Sequence, residues 1–126
     1  MKIKLYCIFS EESVSKMNGI RGKMCSQAGH AYLHAYWNAV QSDDESIRQQ
    51  AYDYQDSDHA YKITLITKTD QELFNLIESY KGVCGVTVVE DAGFTVFKGK
   101  TLTCVGIGPI REDLVKDDLK TLKLFT

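Results

Sequence analysis

Residues 2–9 alternate apolar and polar side chains and are bounded by the polar stretch 10–15, so the chain predicts a first β-strand there. A glycine-bearing loop, Met17-Asn18-Gly19-Ile20-Arg21-Gly22, leads into a long helix over residues 23–41. The expected inward stripe of that helix is Met24, Ala28, Ala31 and Ala35, mostly small residues that let a helix sit close on a sheet. Ser42-Asp43-Asp44-Glu45 reads as a capping box, with Ser42 as N-cap, opening an acidic helix that buries Ile47, Ala51 and Tyr54. A polar loop, 53–59, separates it from a second alternating strand over residues 62–67. Thr69-Asp70-Gln71-Glu72 is another capping box, and Leu73, Phe74, Leu76, Ile77 and Tyr80 form the inward face of its helix.

Two more strands are expected, over residues 83–90 and 101–107, joined by the segment 91–100. So short a joint makes them antiparallel if they pair, whereas helical crossovers make the first three strands parallel. Pro109, the sole proline, marks the start of a short last helix near residues 111–119. The tail Thr121-Leu122-Lys123-Leu124-Phe125 is apolar enough to dock. The resulting order, β-α-α-β-α-β-β-α, predicts an α/β fold: a three-layer α/β/α arrangement of a mixed four-stranded sheet, its last strand antiparallel to the rest.

The chain has 126 residues, 44% hydrophobic and 25% charged, which predicts one soluble domain spanning residues 1–126. No apolar run is long enough to span a membrane, and the alternating start lacks a signal-peptide core, so a cytoplasmic location is expected. Cys7, Cys25, Cys84 and Cys104 form no CxxC pair, and three of them fall in core segments, so reduced thiols are expected. Net charge is −2, unevenly spread: residues 1–37 carry +3, residues 38–60 carry −5, and the remainder balances. A basic start permits a local phosphate-binding surface on a protein that is not basic overall.

Lys23, Gln27, His30 and His34 fall within about 60° of one another on the long helix. A cation, an amide and two imidazoles on one face form either a solvated surface or a site for an anionic, hydrogen-bonding ligand. Lys23 occupies the first turn, where free N–H groups already attract anions. His30 and His34 have the i, i+4 spacing of metal ligands. Ala31 stands where a zinc protease has its glutamate and no third ligand is indicated, so no metal site is expected. Cys25 and His30 point about 140° apart and cannot form a dyad. Gly106-Ile107-Gly108-Pro109 lacks the third glycine of a dinucleotide fingerprint and reads as a tight strand-to-helix turn. Asp91-Ala92-Gly93-Phe94-Thr95 sets a carboxylate and a hydroxyl just past a strand end, where open α/β sheets place their sites. An Asx-type turn would account for the same residues.

Taken in order, Gly22-Lys23-Met24-x-x-Gln27-x-x-His30-Ala31, Asp91-Ala92-Gly93-x-Thr95, Val105-Gly106-Ile107-Gly108-Pro109 and Leu122-Lys123-Leu124 resemble the type 2 peptidyl-tRNA hydrolase family. The resemblance covers nearly the whole chain. It implies a mixed sheet with helices on both faces and hydrolysis, without metal or cofactor, of the ester joining a nascent peptide to tRNA. By position it implies catalytic roles for Lys23, Asp91 and Thr95, and substrate contacts from Gln27 and His30, with Lys16, Arg21 and Lys98 as nearby cations. Peptidyl-tRNA is the implied partner, and the family is often homodimeric. The chain departs from the family pattern at Phe94, where a basic residue is usual, at Val96, and in a thinner basic loop before Lys23. Those departures motivate an alternative, a non-catalytic homologue that binds tRNA or a protein.

Overall fold

The computed structural model describes residues 2–91 and 101–126. Strand β1, Ile3–Ser10, is followed by helices α1, Glu11–Lys16, α2, Arg21–Val40, and α3, Glu45–Gln55. Then come β2, Tyr61–Thr67, α4, Asp70–Tyr80, β3, Val86–Asp91, and β4, Thr101–Arg111. A 3-10 turn at Glu112–Leu114, helix α5, Asp117–Lys120, and the two-residue strand β5, Lys123–Leu124, complete the chain.

The expected α/β class holds, with one correction: the sheet has five strands, in the order β3-β4-β1-β2-β5. Strand β1 runs parallel to β2 and antiparallel to β4, while β3 is antiparallel to β4 and β5 to β2. Three strands therefore run one way, and both β4 and β5 oppose them. The docking tail is the fifth strand, pairing Leu65 with Leu124 and Ile66 with Lys123 at the β2 edge.

Side-chain alternation along β1 divides the core. Tyr6 and Ile8 face Leu73, Leu76 and Tyr80 of α4, together with Leu119 of α5. Cys7 and Phe9 face the opposite way, toward Ala31 of α2, Met17, Val89 and Cys104. Helices thus cover both faces of the sheet. Among the described residues no helix is long and apolar enough to cross a membrane.

Several local expectations shift. Helix α1 was not foreseen; Ser10 caps it, accepting the Ser13 N–H at 2.9 Å, and Ser13 answers by accepting the Ser10 N–H at 3.1 Å. Thr69 caps α4 as expected, but α3 is capped by Asp44, which accepts the Ser46 N–H at 2.9 Å. Ser42 instead accepts the Asp44 N–H at 3.1 Å, closing a turn ahead of the helix. Phe74 is exposed rather than inward. Pro109 does not start a helix; it lies within β4 after a cis peptide bond from Gly108, and β4 continues to Arg111. On α2 the buried stripe is Gln27, Ala31, Ala35 and Ala39, with Met24 and Ala28 only half-buried.

Candidate active site

Helix α2 begins without a side-chain cap among the described residues: Ile20 stands at the N-cap, and Lys23 lies in the first turn. Across from it, Asp91 is the last residue of β3. The Lys23 ammonium forms an ion pair with the Asp91 carboxylate, and both side chains are largely buried, 12% and 8% exposed. This contact joins a helix N-terminus, with its free N–H groups, to the carboxyl end of the edge strand β3, which points the same way as β1 and β2. Two residues 68 positions apart, singled out separately in the sequence, therefore meet in one pair.

The rest of the polar stripe divides. Gln27, one turn beyond Lys23, is largely buried like it; it is 5% exposed and its amide meets the Thr103 hydroxyl of β4 at 2.8 Å. An arc of about 60° is wide enough to straddle the boundary between a buried and an open face, and Gln27 lies on the inner side of it. His30 and His34 are both exposed. Their rings meet edge to face, 5.8 Å between centroids, and His34 also packs on Trp37 at 5.3 Å. Together they line a groove against Thr87, Val88, Val89 and Glu90 of β3. His34, which the family resemblance leaves out, thus stands beside His30 after all.

The candidate cations differ. Lys16 bonds Asp70 at 2.5 Å, and the same carboxylate accepts the Ser10 hydroxyl at 2.6 Å. Its charge is thereby matched by an acid. Arg21 is exposed at the first residue of α2 and takes no part in an ion pair among the described residues. Thr95 and Lys98, with Phe94 and Val96, lie outside the described residues. Of the four thiols, only Cys25 is exposed.

Thr103 was not foreseen as part of the site. Its signal in the sequence is slight: within the alternation of 101–107 a threonine is an ordinary strand residue. In the structure it is wholly buried next to the pair-bearing elements.

Fold and site define an α/β protein with a largely buried ammonium–carboxylate pair between the start of α2 and the carboxyl end of β3. The family model described as "Peptidyl-tRNA hydrolase PTH2" matches residues 11–125. The chain is 36% identical over 111 residues to a peptidyl-tRNA hydrolase of Methanopyrus kandleri, covering 82% of this chain and 87% of that protein. It is 33% identical over 107 residues to one of Methanococcus vannielii, covering 83% and 87%. A more distant peptidyl-tRNA hydrolase, from Nanoarchaeum equitans, is 27% identical over 107 residues. The chain belongs to the peptidyl-tRNA hydrolase PTH2 family.

Proposed function

We propose that this protein hydrolyses the ester bond of peptidyl-tRNA and that the Lys23–Asp91 pair is the centre of the reaction. The meeting of these two residues is the observation that carries the assignment, and the family membership supplies the substrate. Water attacks the ester carbonyl carbon, the bond to the 3′ ribose oxygen breaks, and that oxygen leaves as a hydroxyl after taking up a proton. The products are a free peptide carboxylate and free tRNA.

A carboxylate accepts hydrogen bonds and donates none, so Asp91 suits the task of turning a water lone pair toward the carbonyl. Thr95 shares that task in this reading. Lys23 and the first turn of α2 supply positive potential for the developing oxyanion or for a phosphate near the tRNA 3′ end. Arg21, His30 and Lys98 are the proposed contacts to the remainder of the substrate; Lys16 contributes less because Asp70 offsets it. The same family reading includes a cytoplasmic location, a single domain and a homodimer, the last checked by sedimentation.

A non-catalytic homologue is not favoured, since the matched relatives are hydrolases by name and the pair is in place. Purified protein should release free tRNA from peptidyl-tRNA in the presence of a chelator. Asp91→Asn should lower turnover by at least about 100-fold, the scale on which a lost oriented or electrostatic contact acts. An Asp91→Asn protein with unchanged turnover would falsify the assignment.

A further inference from the structure

We infer that Thr103 is a positioning residue that sets the Lys23–Asp91 pair from beneath, by tying α2 to the end of β3; this rests on the reading of that pair as the reactive centre. Thr103 is the extra residue of a β-bulge. Along β3 and β4, Val89 pairs with Cys104 and Glu90 with Leu102, so Thr103 has no partner of its own. Bulges bend a strand and re-aim nearby side chains, and this one falls opposite the Val89–Glu90 step of β3, one residue short of Asp91.

The hydroxyl so displaced is fully buried and sits between two groups. It lies 2.8 Å from the Gln27 amide oxygen and 3.2 Å from the Val89 carbonyl oxygen. One hydroxyl proton cannot serve two acceptors fully. With the Gln27 amide turned about its last bond, Nε2 donates to Thr103 and Thr103 donates to Val89, so that one hydroxyl serves both contacts. Cys104 adds a second tie to the same turn of α2, its Sγ donating to the Gln27 carbonyl at 3.4 Å.

The placement gives this bridge its consequence. Gln27 is one helical turn from Lys23, on the same side of α2, and Val89 is two residues from Asp91, with its side chain on the same face of β3. The bridge thus fixes the separation of the two backbones that carry the pair. A packing residue alone would need no hydroxyl: valine fills nearly the same volume. Replacing the hydroxyl by a methyl leaves the Val89 carbonyl and the Gln27 amide to find other partners, and the helix and strand ends are free to part.

The test compares kcat and KM on peptidyl-tRNA for the unaltered protein, Thr103→Val, Thr103→Ser, Gln27→Met and Asp91→Asn, with the folded fraction of each measured by circular dichroism. Thr103→Val should lower kcat by about 10- to 100-fold, the cost of a displacement on the scale of 1 Å, with KM changed by less than about 3-fold. Thr103→Ser should restore most of the rate, and Gln27→Met should reproduce the loss from the other end of the bridge. Should Thr103→Val fail to fold, the Ser and Gln27→Met variants carry the comparison. Folded Thr103→Val with unaltered kcat, a Ser variant as slow as the Val variant, or Gln27→Met with full rate each overturns the inference. No turnover by the unaltered protein, or full turnover by Asp91→Asn, overturns instead the reading of the pair.

Discussion

Gly106 of β4 lies directly against the backbone of Ala31 in α2: a Cβ on Gly106 would stand 2.3 Å from the Ala31 carbonyl oxygen. The neighbouring contact repeats one turn along, where a Cβ on Gly85 would meet the Ala35 carbonyl oxygen, also at 2.3 Å. These contacts set the height of α2 above the sheet, and α2 carries Lys23. Gly106→Ala must push helix from sheet, since the obstructing atoms are backbone. The expected cost is about 1–3 kcal/mol of unfolding free energy, the usual range for overpacking a filled core. Equilibrium urea unfolding checks it, and an unchanged midpoint would show that the helix is not held at this height.

Arg21 and Lys16 should differ in their effect on substrate. Phosphate contacts made by an unmatched cation release counterions and weaken with salt. Arg21→Gln should raise KM for peptidyl-tRNA several-fold and reduce the slope of log KM against log salt by about one. Lys16→Gln should do less, because Asp70 already cancels the charge at that position. Equal effects of the two substitutions would place Lys16 on the RNA in spite of its acid.

Thiol labelling should separate the four cysteines. Burial pushes the Cys84 thiol up to about 12, and burial together with the Cys104 thiol raises Cys7 well above its ordinary value. The thiolate is the reactive form, so both are inert in the folded protein at mildly alkaline pH. Cys104 is wholly buried. Iodoacetamide should therefore modify one residue, Cys25, within the time that denatured protein takes up four. Mass spectrometry reads the count, and modification of folded Cys25→Ser would contradict it.

The parts of this fold that were legible in the sequence are those with one competing explanation. Thr69 was identifiable as a cap because a single hydroxyl residue precedes α4 at the right distance from Glu72. Before α3, Ser42, Asp43 and Asp44 are all capable caps, and spacing alone prefers Ser42; the chain uses Asp44 because Ser42 is taken up in a turn. Helix α1 escaped because six residues give no periodicity to read, and its partner for Ser10 is Ser13 rather than an acid. Strand β5 escaped because its two residues are defined only by the edge of β2. In the site, Lys23 and Asp91 were each legible from a motif, yet their pairing is a property of the fold. Gln27 was expected to contact substrate from the polar stripe, and its burial against Thr103 was not legible because angle along a helix does not show how far the sheet wraps around it.

Glu72 offers a test of one link between strand and helix by pH. Its carboxylate accepts the Thr67 hydroxyl at 2.5 Å and the Thr69 hydroxyl at 3.1 Å, so it joins the end of β2 to the first turn of α4. The Thr67 hydrogen bond is the largest influence lowering its pKa below the ordinary 4.5; desolvation opposes the shift and the Thr69 hydroxyl assists it. A folded-state pKa below the unfolded one means that the unfolded chain takes up the proton first as pH falls. The stabilisation is then fully present above 4.5 and is lost as pH drops through the folded value. Glu72→Gln keeps an accepting oxygen but has no proton to take up. The melting temperature of the unaltered protein should exceed that of Glu72→Gln near neutrality, and the gap should close in acid. Asp44 and Glu112 are lowered as well and titrate in both proteins, so the difference between the two curves isolates Glu72. A gap that stays constant from neutral to strongly acidic pH would mean that the Thr67–Glu72 contact favours the neutral acid as much as the carboxylate.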